Sequence, residues 1–302
     1  MRNLVFISTH ILNKAVISEY EKMTKNNDID CILVVDDSNL HLGVNGGVEE
    51  IEFLGTRIKC IFFNQDFSNK LNLPNGYEFG EAENFMQVMW HNSDYRFYYA
   101  KNILPDYDFY WQIEYDVFCN GDSYSSFFEK YSQSNEDLLI CDLREETING
   151  EWYWANGIDW AYKDKIYGSF FPICRLSSKA INFLYNKRIE LFKQYMNLNK
   201  NEADYRWLFG ELFVPTELIN NGFSAKSIDE KYVSHDSWNK EFDLNEDRIF
   251  ENPDNLLYHP VKGQMVNRIE KLKKENEDLK QKIQNLEAKS NKKLLRKIFL
   301  HS

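Results

Sequence analysis

Apolar residues fall in short unbroken runs over the first part of the chain: Leu4 to Ser8, Cys31 to Val35 and Lys59 to Phe63. Runs of this length, rich in β-branched and aromatic residues and bounded by polar ones, predict strands buried on both faces. Between the first two, Ile11 to Lys25 places Ile11, Ala15, Ile17 and Met23 on or near one side of a helix. Strand, helix, strand in that order predicts a parallel sheet with right-handed crossovers. Glu83 to Leu104 predicts helix, interrupted around His91-Asn92-Ser93 and ended by Pro105. Tyr107 to Val117 and Leu138 to Asp142 predict two more strands. Ser177 to Tyr195 predicts a helix with Ser177 as its cap and Ala180, Phe183, Leu184, Ile189 and Phe192 on or near one face. A last helix is expected between Ala203 and Asn221, broken or kinked at Pro215 and stopped by Gly222. Trp152 to Phe171 has neither period and is unusually aromatic, so it reads as irregular chain, a substrate wall.

The strand at Tyr107 ends abruptly in Glu114, Tyr115 and Asp116. Residues two apart on a strand point the same way, so both carboxylates face one side and can share a divalent cation through hard oxygen ligands. An isolated pair of this kind is usually a solvated strand end. Here the apolar run before it, with Tyr107, Phe109, Tyr110 and Trp111, predicts a central strand, and open α/β sheets bind ligands at the exits of such strands. The second strand likewise exits in Asp36 and Asp37.

After Gly263 the pattern changes. Ile269, Leu272, Asn276, Leu279, Ile283 and Leu286 alternate spacings of three and four. With Ile269 at a, Leu fills each d and Asn276 a buried a position, which favours a parallel two-stranded coiled coil and hence a homodimer through residues 266–287. A charged surface helix is the plainer alternative. Lys289 to Ser302 interleaves Lys292, Lys293, Arg296 and Lys297 with Leu294, Leu295, Ile298 and Phe299, a basic amphipathic pattern suited to an anionic membrane surface, with a disordered basic tail as the alternative. The expected organisation is a catalytic unit over 1–263, a dimerisation helix over 264–289 and a basic tail over 290–302.

Composition narrows the classes. The 302 residues can bury one large core, and a net charge of -11 argues against a general nucleic-acid binder. Aromatic residues make up 16% of the chain, enough for sugar- or base-stacking surfaces as well as core. The five cysteines, Cys31, Cys60, Cys119, Cys141 and Cys174, are scattered without a close pair, which predicts neither a zinc site nor a disulfide framework. The N-terminal apolar run is too short for a secretory signal, and no run has membrane-spanning length. A cytoplasmic protein, peripheral at the inner face of the cell membrane, is expected.

Taken together, the first strand ending in Ser8-Thr9-His10, the second ending in Val34 to Asp37, the helix carrying Tyr95 to Asn102, the Glu114–Asp116 exit and the late His259-Pro260-Val261-Lys262 resemble a GT-A-type glycosyltransferase. The likeness is to bacterial enzymes of surface-polysaccharide (capsule or lipopolysaccharide) biosynthesis. It implies an α/β, Rossmann-like catalytic domain with a mixed central sheet, a nucleotide-sugar donor, a glycan or lipid-linked acceptor, and Mn²⁺ or Mg²⁺. The family's acidic motif usually has Asp at both ends; Glu114 departs from it, keeping charge and oxygen ligation on a longer arm. By the resemblance Asp116 and His259 ligate the ion, with Glu114 reaching the ion or the ribose. Arg96 and Lys262 meet the diphosphate, Asp36 or Asp37 the base or ribose, and Thr9 and His10 line that pocket.

An inverting transfer also needs a carboxylate base, and Glu211, embedded in apolar sequence, is the leading candidate, with Asp204, Asp159 and Asp236 behind it. Pairing with Arg206 is the structural alternative for Glu211. A retaining enzyme needs no such base. Trp154, Trp160 and Trp238 are candidates for stacking on the acceptor. Two other classes stay open: a non-catalytic sugar-binding or scaffold protein, and a sugar nucleotidyltransferase, which normally has a glycine-rich loop near the first strand where this chain has none.

Overall fold

The computed structural model describes residues 1–25, 29–38, 40, 42, 47–74, 84–198, 205–229, 232–233, 254–261, 274–275 and 279–283. Eight strands form one sheet: β1 (Asn3–Thr9), β2 (Asp30–Asp36), β3 (Val48–Phe53), β4 (Thr56–Phe63), β5 (Phe109–Glu114), β7 (Leu138–Glu146), β8 (Ile166–Ser177) and β9 (Ala225–Ser227). Their order is β3-β4-β2-β1-β5-β8-β7-β9. The middle four, β4-β2-β1-β5, run parallel; β3 and β8 are antiparallel to their neighbours β4 and β5. The sheet is therefore mixed, as the family resemblance implies, and parallel at its centre, as the strand–helix–strand pattern predicts.

Strict alternation splits the core into two layers. Leu4, Phe6, Ile32, Val34 and Tyr110 face one side; Val5, Ile7, Leu33, Val35 and Trp111 face the other. The first side is covered by α4 (Tyr95–Ile103), α6 (Ser178–Met196) and α7 (Gly210–Asn220), the second by α1 (Lys14–Thr24) and α5 (Ser125–Tyr131). Local chemistry sets the ends. Asn13 caps α1 through a Val16 amide at 3.0 Å, and Ser177 caps α6 through Ala180 at 3.2 Å. β3 and β4 join through Leu54 and Gly55, both at positive φ, the geometry of a two-residue hairpin turn.

One sequence expectation holds in detail and three change. The predicted helix Glu83 to Leu104 is two helices, α3 (Phe85–His91) and α4, parted at the predicted interruption. The stretch Trp152 to Phe171 is not irregular to its end. From Ile166 it enters the longest strand, β8, whose bulged pairing with β7 absorbs Pro172 and its neighbours. The last helix begins at Gly210, and Pro215 does not break it. Proline lacks the amide that would bond the Glu211 carbonyl, and the Ser169 hydroxyl donates to that oxygen instead at 2.8 Å. Trp160 does not line the cleft that gathers Glu114, Asp116 and Glu211; it packs beside Tyr195 and Trp207 and donates to the Arg206 carbonyl.

All five cysteines are free and buried. Among the described residues no helix is long and apolar enough to cross a membrane. Apart from 274–275 and 279–283, which are helical, the coiled-coil heptads and the basic tail lie outside the described residues, as do Lys262, Asp204, Asp236 and Trp238.

Candidate active site

The chain runs outward from β1 to β2 and β4, then returns to place β5 on the other flank of β1. The sheet thus has its switch point between β1 and β5, and ligands of open α/β sheets bind beyond the carboxyl ends of strands at such a point. Ser8 pairs with Glu114 there, so the two strand exits open side by side. A cleft of about 420 Å³ occupies the position, lined by Thr9, His10, Arg96, Glu114, Asp116, Glu211 and His259 among others. Seven expected site residues from distant parts of the sequence therefore share one cavity. A larger cavity, about 510 Å³, lies at the opposite ends of the strands near Met1, Asn3 and Asp30, away from these groups.

His259 arrives through a short strand pairing. β10 (Leu257–Tyr258) pairs antiparallel with β6 (Phe118–Cys119), and the Val261 amide donates to the Asp116 carbonyl at 2.7 Å. Glu19, buried on α1, holds β6 in place: it accepts from the Cys119 amide at 3.0 Å and the Tyr124 hydroxyl at 2.7 Å. The result puts His259 Nε2 3.3 Å from Asp116 and 3.5 Å from Glu114. One ligand atom of each of the three lies within 4.8 Å of the others. Burial works to lower the His259 pKa, but the hydrogen bonds and charges of Asp116 and Glu114 outweigh it and raise the value to about 9. A proton thus sits where two carboxylates and an imidazole converge. Two oxygen donors and one borderline nitrogen are a fitting donor set for Mn²⁺ or Mg²⁺, and such an ion would compete with that proton.

Arg96 enters from α4. Burial pulls its pKa below the ordinary value while Glu114 and Asp36 oppose the shift, and its Nη1 is buried without a hydrogen-bond partner among the described residues. A guanidinium with an unspent donor beside an open cleft is suited to an anionic ligand.

Glu211 opens α7. Gly210 before it allows the approach, because a Cβ there would lie 2.7 Å from the Ser93 hydroxyl. Burial and the Glu114 charge raise the Glu211 pKa to about 8, against a 3.4 Å bond from the Phe171 amide. Arg206 is not its partner; that guanidinium lies over the Tyr153 ring.

Asp36 lines a neighbouring cleft of about 520 Å³, and Met86 borders both. Its carboxylate accepts from the Ser38 amide at 3.0 Å, whereas Asp37 accepts from Leu42 at 2.8 Å, a local turn bond. Of the further base candidates, exposed Asp159 gives its carbonyl to Lys163 and lines neither cleft. Met86, Gln87 and Trp90 were not anticipated; their signal was Met86 and Trp90 four residues apart, an apolar pair on a helix face that the fold leaves exposed.

Fold and cluster define an open, mixed α/β protein with an acid-and-imidazole cleft at its switch point. No family model and no curated protein matches the chain. It is similar to solved structures that include the galactosyltransferase LgtC in complex with donor and acceptor sugar analogues (10% identity, 86% of this chain and 87% of that one, TM-score 0.40). It is similar also to mouse xyloside xylosyltransferase 1 (10%, 85% and 96%, TM-score 0.43) and a putative glucose-1-phosphate thymidylyltransferase from Bacillus anthracis (9%, 76% and 87%, TM-score 0.33). Glycosyltransferases, the family that the sequence motifs resemble, thus recur among these structures. At such TM-scores the likeness decides nothing about function, which rests on the cleft.

Proposed function

We propose that the chain is a metal-dependent glycosyltransferase that moves a sugar from a nucleotide-sugar donor to a glycan or lipid-linked acceptor in bacterial surface-polysaccharide assembly. The observation that carries this reading is the convergence of Glu114, Asp116 and His259 in one cleft with Arg96 and Glu211. Mn²⁺ or Mg²⁺ would be held by the three clustered side chains, and when bound it supplies positive charge to the departing diphosphate. Arg96 donates to a diphosphate oxygen, with Lys262 as a second cation proposed from sequence alone. Asp36 accepts from the ribose or base, while Thr9 and His10 wall the donor side. Glu211 accepts the acceptor hydroxyl proton if the reaction inverts. Its raised pKa keeps it near the working range for proton transfer. Leu279 and Ile283, more than half exposed at d and a of the heptads, support a dimer through that helix, and the basic tail would bring the enzyme to the inner membrane face.

Calorimetric titration with UDP, GDP and CMP, each with and without manganese, tests the donor site. Manganese-dependent binding of one nucleotide, with proton release as the ion displaces the His259 proton, is the expected result. No binding under any condition removes the donor site and leaves a non-catalytic scaffold as the reading.

A further inference from the structure

Trp90 is 56% exposed, yet it is not a loose surface ring. It meets Phe209 edge-on at 5.4 Å and Trp154 at 5.7 Å, and Trp154 in turn stacks flat on Phe209 at 4.0 Å with 4° between planes. His91 closes the group at 5.1 Å from Trp90, its pKa lowered by burial so that the ring is neutral at pH 7. Three rings thus fix the orientation of a fourth whose remaining surface faces open space. Trp90 borders the same cleft as Glu211, Ser93 and Gln87.

That mixture favours one ligand chemistry. A pyranose carries an apolar C–H face and a rim of hydroxyls, and it needs an aromatic plane beside acceptors and donors. A bilayer or protein partner would find the ring but not use the acid-lined cavity it borders. We propose that Trp90 is the platform on which a pyranose of the acceptor stacks, oriented by Trp154 and Phe209, with its hydroxyl edge directed to the Glu211 side of the cleft. This rests on the glycosyltransferase reading and deepens it, selecting a saccharide acceptor. Trp90 acts as a specificity-determining residue, and Tyr153, also exposed and 4.9 Å from Trp154, extends the aromatic lip outward.

Saturation-transfer NMR with a panel of methyl hexopyranosides, on protein loaded with manganese and the nucleotide it binds, tests the assignment. The expected result is transfer to protons of one sugar face, about tenfold weaker binding in Trp90→Ala, which is about 1.4 kcal/mol, and recovery in Trp90→Phe, with nucleotide affinity unchanged in both. A wild-type protein that binds nucleotide and no glycoside overturns the inference and leaves the donor site standing. So does a glycoside signal indifferent to Trp90→Ala. If Trp90→Ala instead lowers binding to phosphatidylglycerol-containing vesicles and spares the glycoside signal, the ring belongs to a membrane face and the proposal fails. Absence of nucleotide binding removes the glycosyltransferase reading and the platform with it.

Discussion

Two clusters of carboxylates and cations lie close together in this molecule and are completed differently. Asp94 and Arg188 are both fully buried and joined by two hydrogen bonds, at 2.7 and 2.9 Å. The remaining guanidinium nitrogen donates to the Leu208 carbonyl at 2.6 Å, Tyr98 donates to Asp94 at 2.6 Å, and the Phe213 ring lies 3.7 Å beneath. Burial works against the charge on Arg188, but Asp94 outweighs it and raises the pKa. At the cleft, two carboxylates divide one imidazole at 3.3 and 3.5 Å, longer than the roughly 2.7–2.9 Å of a charge-assisted bond. The first cluster is saturated by its own fold and determines structure. The second sets two carboxylates against one imidazole beside an open cleft, an arrangement suited to a cation.

The largest effects come from exchanging these roles. Asp94→Ala should cost about 3–5 kcal/mol, the usual penalty for stranding one partner of a buried ion pair, read as a fall in the denaturant midpoint. Activity should fall with it, because Asp94 and Ser93 seat the start of α4 beside Gly210, and the neighbouring Arg96 and Glu211 line the cleft. Asp116→Asn should do the reverse. Stability should fall only slightly, because Glu114 still faces the His259 ring and an amide oxygen can keep the 3.3 Å contact, while manganese-dependent nucleotide binding is lost and turnover falls by about 10²–10³, the scale of losing one preorganised electrostatic contact. A large loss of stability in Asp116→Asn would erase the distinction between the clusters.

The legibility of the two clusters in sequence differs for the same physical reason. A two-residue period was expected to put Glu114 and Asp116 on one face, yet β5 ends at Glu114 and Asp116 reaches the same cleft from the turn beyond it, whereas apolar runs marked β1 and β2 to within one residue at either end. Local pattern carried that information. His259 was reachable only through the family resemblance, because its position depends on a two-residue pairing between β10 and β6. Asp94 and Arg188 left no signal, since a bond between two helices far apart in sequence has no period. β8 was missed in the same way: Gly168, Pro172 and three aromatics mask its alternation, and its strand geometry is imposed by β5 and β7 on either side. Trp160 was placed wrongly because a tryptophan in sequence does not reveal which way the chain turns it.

Arg96 sharpens the contrast at smaller amplitude. It lies two residues after Asp94 on the same helix start, yet it faces the cleft with an unspent donor. Arg96→Gln should weaken nucleoside diphosphate binding by about 1.5–3 kcal/mol, the range for a hydrogen bond to a charged group, and leave binding of the bare nucleoside unchanged. Equal losses for both ligands would mean that Arg96 supports structure as Asp94 does.

The last effect concerns Glu211 and is set by the sign of its shift. Its folded pKa, about 8, stands above the ordinary 4.5 of the unfolded chain, so between those values the native state holds a proton that the unfolded state has released. Stability from this group is therefore present below about pH 4.5 and declines as pH rises towards 8. Glu211→Gln removes the titration. The variant should match the wild type at acid pH and melt a few degrees higher at pH 8, and the gap should close stepwise as pH falls. A gap independent of pH would mean that Glu211 is ionised throughout, paired as firmly as Asp94, and so belongs with the saturated cluster rather than with the cleft.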